Sequence, residues 1–141
     1  MPTDESEVLA QNQAFYDAFG RGDYPAVDGL WAKDSPVACI HPGWEPLHGR
    51  VDVMASFRAI LRAPTPPGIT CLRPAATVLG EVAFVICAEV VDGSTLVATN
   101  VFVREDGRWK LVHHQAGPVS AGRPKPQARP KTPPGSSGML N

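Results

Sequence analysis

The sequence predicts an α+β domain in which helices pack on one face of an antiparallel sheet. Three observations predict it. Apolar residues recur at helical spacing through the first 62 residues, four apolar or β-branched runs follow between residues 69 and 116, and the joints between those runs are short turn sequences. Helices followed by strands, without alternation, favour this class over a parallel α/β fold.

The elements follow in order. Asp4 or Thr3 caps the first helix, and Glu7 stands three residues after Asp4, the spacing of a capping box. Val8, Phe15 and Phe19 share a stripe with Leu9 and Tyr16 beside it, and Gly20 and Gly22 end the helix. Asp23 caps a short second helix, with Pro25 tolerated in its first turn and Val27, Leu30 and Trp31 facing inward. Ser35-Pro36 breaks it. Val37 to His41 reads as a short strand, Pro42-Gly43 as a turn, and Trp44 to Gly49 as an irregular segment. A third helix runs from Arg50 to about Arg62, with Val53, Phe57 and Leu61 at i, i+4 and i+8, until the Pro64 to Gly68 run stops it. Strands over Ile69–Leu79, Val82–Val91, Leu96–Arg104 and Trp109–Ala116 are joined by Gly80-Glu81, Asp92-Gly93-Ser94 and Glu105-Asp106-Gly107. An Asp-Gly turn between apolar runs is a hairpin signal.

Composition sets the bounds. A chain of 141 residues, 43% hydrophobic and 19% charged, can bury one core without metals or disulfides. A formal net charge of −1 excludes a nucleic-acid binder working through bulk positive charge. No apolar run approaches the ~20 residues that span a bilayer. Met1 to Glu5 lacks the basic and apolar regions of a signal peptide, so the expected location is the cytoplasm. Cys39, Cys71 and Cys87 include no Cys-x-x-Cys pair and do not form a disulfide framework. Each is either a small buried hydrophobe or a thiolate, and Cys39, two residues before His41, is the one to weigh. Residues 121–141 carry four bases and five prolines, with no acid and no aromatic residue. The boundary therefore falls between a domain over 1–120 and a disordered basic tail over 121–141. Pro130-Lys131-Thr132-Pro133 in that tail is either a polyproline II recognition segment or plain solvated chain. Both faces of the sheet look apolar, which predicts a homodimer packed through the sheet.

Helix, helix, strand, then Cys39-Ile40-His41-Pro42-Gly43-Trp44 and Gly49-Arg50 opening a helix, resembles the nuclear transport factor 2-like superfamily. The ending Asn100-Val101-Phe102-Val103-Arg104-Glu105-Asp106-Gly107-Arg108-Trp109-Lys110-Leu111-Val112-His113-His114-Gln115 is similar to its SnoaL-like branch, and also to the association (hub) domain of calcium/calmodulin-dependent protein kinase II. The resemblance spans about Glu7 to Val119. It implies a cone: a curved antiparallel sheet wrapped around three N-terminal helices, open at one end to an internal pocket, and usually dimeric through the sheet. It implies no single activity, because this superfold hosts isomerases, dehydratases, epoxide hydrolases, cyclases and assembly modules.

The candidate chemistry is placed on that cone. On the last strand Trp109, Leu111, His113 and Gln115 share one face, and Val112, His114 and Ala116 the other. The hub-domain resemblance implies that the second set faces the interior, together with Ala98, Asn100 and Phe102, and with Phe84, Ile86, Ala88 and Val90 on the next strand. Such an interior, apolar with few polar groups, suits a small molecule. His114 is the candidate general base, since a histidine near its ordinary pKa of ~6.5 holds or releases a proton around neutrality. The alternative is a structural hydrogen bond from His114 to Asn100. His41 is the second catalytic candidate; alternatively it anchors the Trp44 to His48 segment. Trp44 could cover the opening, and Tyr16 could supply a hydroxyl. Ligand contacts are thus expected from Tyr16, Trp44, Asn100, Ile86 and Phe102. His113, Gln115 and Glu89 are expected to face a dimer partner, where Glu89 would pair with His113 or an arginine.

Several chemistries are not expected. No pair of strand carboxylates is evident, and the acidic base with a Tyr/Asp oxyanion pair of the isomerase relatives has no matching positions. The hub domain's inward arginines align with Ile86, Asn100 and Ala116, so an anionic ligand is not expected. No His-x-x-x-His pair, Gly-x-Gly-x-x-Gly or phosphate loop is present, so no metal and no cofactor are expected. The residues favour a small-molecule-binding domain with an apolar pocket for an apolar or neutral ligand, without assigning it an activity. One alternative is an acid–base isomerase, dehydratase or cyclase acting on a small neutral organic substrate. The other is a non-catalytic dimerisation or assembly module.

Overall fold

A computed structural model describes residues 2–65 and 68–120. The expected basic tail, with its Pro130 to Pro133 motif, lies outside the described residues. Among those residues the chain forms three helices, α1 (Asp4–Gly20), α2 (Tyr24–Leu30) and α3 (Arg50–Leu61), and six strands. The strands are β1 (Ala38–Ile40), β2 (Leu47–His48), β3 (Ile69–Leu79), β4 (Val82–Val91), β5 (Ser94–Glu105) and β6 (Arg108–Pro118). They make one curved sheet in the order β2-β1-β6-β5-β4-β3, with the helices packed on one of its faces.

Local sequence explains the helix ends. Thr3 caps α1, and its capping box closes with Ser6 rather than Glu7, because the helix starts at Asp4 and Ser6 is three residues after the cap. Asp23 caps α2 by accepting from the Ala26 amide at 3.1 Å. The other end of α2 is held by Arg50, at the start of α3. Its guanidinium donates to the carbonyls of Trp31 (3.1 Å), Ala32 (2.9 Å) and Asp28 (3.0 Å) and to the Asp28 carboxylate (2.7 Å).

The sheet departs from the expected antiparallel pattern at one place. β1 runs parallel to β6, pairing Ala38, Cys39 and Ile40 with His113, His114 and Gln115. Hairpin connections force antiparallel neighbours, but β1 and β6 are separated by α3 and four strands, so no turn constrains their direction. The β4–β5 and β5–β6 joints are tight hairpins. In each, Asp and Gly both take positive φ, at Asp92-Gly93 and Asp106-Gly107, as a type I′ turn requires.

A bulge re-aims β6. Val101 pairs with His113 and Phe102 with Leu111, leaving Val112 without an opposite partner. Trp109 and Leu111 therefore point into the core with His114 and Ala116, all four buried. The strict alternation expected for this strand fails at that residue. The core gathers Phe15 from α1, Phe57 from α3, Trp31 after α2, and Val85, Phe102 and Leu111 from the sheet.

Candidate functional site

Between the helices and the concave face of the sheet lies a cavity of about 250 Å³. Its walls are apolar: Phe15 and Phe19 from α1, Ile60 from α3, Ile69, Val91 and Leu96 from the sheet, and Pro42 and Trp44 from the segment after β1. Three titratable side chains enter it, His41, Glu89 and His114. A few converging polar groups in an apolar hollow is the usual anatomy of a small-molecule site. A larger open groove of about 600 Å³ lies between α1, α2 and the β5–β6 turn. It is lined by charges of both signs, Glu7, Asp17, Arg21, Arg108 and Lys110 among them, and has no such convergence.

His114 stands on β6 opposite Asn100 of β5. Its Nδ1 lies 2.5 Å from Asn100 Oδ1. Asn100 Nδ2 donates to Asn12 Oδ1 at 2.8 Å and to the Tyr16 hydroxyl at 3.1 Å. Tyr16 in turn donates to Glu89 Oε2 at 2.5 Å. That carboxylate oxygen is 3.9 Å from His114 Nε2, so the network closes on itself. Burial pulls the His114 pKa down to about 3, helped by the nearby His41 and His113. The 3.9 Å approach would be an ion pair only with a charged imidazole, and burial holds this ring neutral. Burial likewise raises the Glu89 pKa, against the opposing hydrogen bond from Tyr16, and raises that of Tyr16 itself.

His41 follows directly on β1 and reaches the cavity from another side. Its Nε2 lies 2.8 Å from Ser56 Oγ on α3. The Ser56 hydroxyl proton goes to the Val53 carbonyl at 2.6 Å, so the ring is the donor and Nδ1 keeps its lone pair. Trp44 and Phe57 pack edge-on against the ring, with centroids at 4.8 Å and 5.0 Å. Burial lowers the His41 pKa to about 4. Cys39 sits beside this ring, but burial raises its thiol to about 12, which removes the thiolate alternative.

The structure brings His41, His114 and Trp44 together around the cavity and leaves Trp44 46% exposed at its rim. Tyr16, Asn100 and Phe102 are fully buried and do not line it; Tyr16 and Asn100 act behind the wall, through hydrogen bonds. Ile86 is a correction: it lies on the outer face of the sheet, 46% exposed. β4 takes the opposite phase from the one expected, with Ala83, Val85, Cys87 and Glu89 inward and Phe84, Ile86 and Val90 outward. The same inversion corrects Glu89, which is 2% exposed inside the domain and does not face a partner subunit. A lone acid in an apolar strand was the sequence signal for it; only the side was misread. Asn12 and Ser56 were missed, although each is a polar residue on the buried stripe of its helix. His113 Nδ1 donates to the Ala38 carbonyl (3.0 Å), and the ring stands outside the cavity. Among the described residues no group of three or more His, Cys, Asp or Glu could hold a metal ion, and no helix is long and apolar enough to cross a membrane.

Comparison with known proteins places this geometry. Residues 8–120 match the SnoaL-like domain family. A protein from Streptomyces avermitilis, provisionally named a dehydratase of the nuclear transport factor 2-like family, superposes with a TM-score of 0.78 at 35% identity, over 84% of this chain and 97% of that one. A Thiobacillus denitrificans protein, provisionally named a calcium/calmodulin-dependent protein kinase type II association domain, gives 0.73 at 30% identity, over 85% of this chain and 98% of that one. The kinase II hub of S. rosetta, at 23% identity and a TM-score of 0.70, over 84% of this chain and 99% of that one, shares the fold. In Arabidopsis thaliana the F-box protein SKIP8 is 26% identical over 111 residues, 77% of this chain. The chain spans about half the length of that curated relative, 48%. The match over residues 8–120, the cone-shaped sheet around three helices and the relatives at 30% identity and above agree: the chain belongs to the SnoaL-like family of the nuclear transport factor 2-like superfamily.

Proposed function

We propose that the cavity binds a small, uncharged, largely apolar organic molecule and that His114, with Glu89 and His41, moves a proton on it. One observation carries this reading: three titratable groups border a single apolar cavity that buries and neutralises both imidazoles. A neutral imidazole is a base, and a carboxyl with a raised pKa is the complementary acid. Isomerisation, dehydration and cyclisation all need that pair. The likeness to a protein provisionally named a dehydratase supports the same class. A volume of about 250 Å³ suits a compound of one or two rings, and the aromatic walls favour an unsaturated one. The three free thiols suit a reducing, cytoplasmic setting.

The test uses p-cresol as a neutral aromatic probe, titrated against Trp44 fluorescence and followed by native mass spectrometry. Saturable binding is expected, lost on filling the cavity with Leu96→Trp, and insensitive to Ile86→Thr. No binding of p-cresol, benzyl alcohol or cyclohexenone, with an empty protein by mass, would overturn the reading.

A dimer packed through the sheet is proposed alongside. Leu72, Leu79, Val82, Ile86 and Val97 all lie on the outer face and are 37–62% exposed. That is more apolar surface than a water-facing sheet normally shows. The likeness to a protein provisionally named an association domain supports an assembly role. Ile86→Lys with Val97→Lys should halve the native mass; a native protein that is already monomeric would remove this proposal.

A further inference from the structure

The buried ladder behind the cavity has a direction, and its far end sets it. An amide side chain is asymmetric: Oδ1 accepts and Nδ2 donates. Asn12, Asn100 and Tyr16 are each 2% exposed or less, so solvent cannot stand in for a missing partner. Asn12 presents Oδ1 to Asn100 at 2.8 Å, which requires the donor end of Asn100 there. That end also reaches the Tyr16 hydroxyl, whose own proton is committed to Glu89. Asn100 must therefore turn its acceptor toward His114, 2.5 Å from Nδ1. An acceptor at that distance demands a proton on Nδ1. A neutral ring has only one, so Nε2, the nitrogen that faces Glu89, carries the lone pair.

We infer that Asn12, which does not border the cavity, is a positioning residue for His114. By holding Asn100 in one orientation it selects the Nδ1-protonated tautomer and leaves Nε2 free to accept a proton. Asn12 is itself oriented from behind, where its Nδ2 donates to Cys71 Sγ at 3.6 Å. Without an acceptor at position 12, only the Tyr16 hydroxyl still holds Asn100, and it can swing its proton from Glu89 to Asn100 Oδ1 as the amide turns over. Its Nδ2 then donates to the lone pair of His114 Nδ1, and the ring proton sits on Nε2, which has no lone pair left to accept another. A base in the wrong tautomer has nothing to offer at the reacting nitrogen. The inference deepens the reading of His114 as the base, but it is tested on the resting protein.

Two-bond proton–nitrogen correlation spectra of the full chain with 15N-histidine show which ring nitrogen is protonated near neutral pH. His114→Gln assigns the signals. Native His114 is expected to carry its proton on Nδ1. Asn12→Leu inverts the major tautomer to Nε2-protonated, whereas Asn12→Asp, which keeps an acceptor, retains the native form. Should Asn12→Leu fail to fold, Asn12→Met is read in its place. A native ring protonated on Nε2 overturns the inference, as does an unchanged tautomer in the apolar variant. The expected tautomers in a protein that binds no probe would remove the functional reading and leave this one standing. Probe binding with the wrong native tautomer would do the reverse.

Discussion

Tyr16 and Glu89 meet through a 2.5 Å hydrogen bond that ties the first helix to the inner face of β4. Both groups are buried, and neither has water to fall back on. The bond stabilises the carboxylate form of Glu89, while burial disfavours it. The protonation of Glu89 is therefore governed first by burial and opposed by a residue 73 positions away in the chain.

Tyr16→Phe removes the donor and leaves the acceptor buried. Stability should fall by about 2 kcal/mol, the typical cost of an unpaired buried polar group. The Glu89 pKa should rise further, because the hydrogen bond was the influence lowering it. Carboxyl-carbon NMR titration reads the second effect independently of the first.

The two cavity histidines make stability depend on pH in a defined direction. Their folded pKa values, about 3 for His114 and about 4 for His41, lie below the ordinary 6.5. Below pH 6.5 the unfolded chain binds protons that the folded one refuses, so stability falls as pH drops toward 4. Each ring should contribute a slope of about 1.4 kcal/mol per pH unit in that window. Glu89 acts oppositely. Its raised pKa favours the folded state at low pH, and that contribution is lost as pH rises from 4.5 through the folded value. Urea titrations from pH 7 to 4.5 should show the net slope, and His114→Gln should lower it by about 1.4 kcal/mol per pH unit. An unchanged slope in that variant would mean that the ring is already charged in the folded state.

Much of this fold was legible, and the failures share one cause. Gly80-Glu81, Asp92-Gly93 and Asp106-Gly107 marked the strand joints because only a few residue types adopt positive φ. The stripe through Val8 and Phe15 marked the buried face of α1. The phase of β4 was not legible, because Val82, Phe84 and Ile86 outside are as apolar as Ala83, Val85 and Cys87 inside. With no polar face to break the tie, only pairing with neighbours decides which residues turn inward. The bulge at Val112 was hidden for the same reason. His41 and His114 were identifiable as candidates, but Glu89 was assigned to the wrong side. Asn12 offered only one polar residue in an apolar stripe, with no way to see its partner Asn100, 88 positions on.

Arg50→Ala should be among the costliest changes outside the cavity. The guanidinium satisfies three carbonyls and one carboxylate where α2 ends, and its side chain is 25% exposed. A loss of about 2–3 kcal/mol is expected, since hydrogen bonds from a charged donor are the stronger kind. Arg50→Lys should recover only part, as an ammonium cannot reproduce the fork. Thermal unfolding measures both.

Glu105 fastens the loop between α2 and β1. Its carboxylate accepts from the Lys33, Asp34 and Ser35 amides, at 2.8, 3.0 and 3.1 Å, and from the Ser35 hydroxyl. Those amides hold its pKa below the ordinary 4.5, so this stabilisation is lost as pH falls through the lowered value. Glu105→Ala should raise hydrogen exchange at the three amides while leaving exchange in β4 unchanged. Equal protection in wild type and variant would show that the carboxylate does not hold the loop.

The parallel pairing of β1 with β6 sets the order of assembly. Ala38 and His113 stand 75 positions apart in the chain, and their contact joins the first strand to the last. The three hairpins of β3 to β6 can zip up from local turns, but this closure is of high contact order and must wait for them. On the ribosome it cannot begin until residue 115 has emerged. His41 follows directly on β1 and His114 lies within β6, so the cavity's two imidazoles are brought together by that closure. The pairing of those two imidazoles across the cavity is therefore expected to form late as the chain folds, and to be lost when the β1–β6 seam opens.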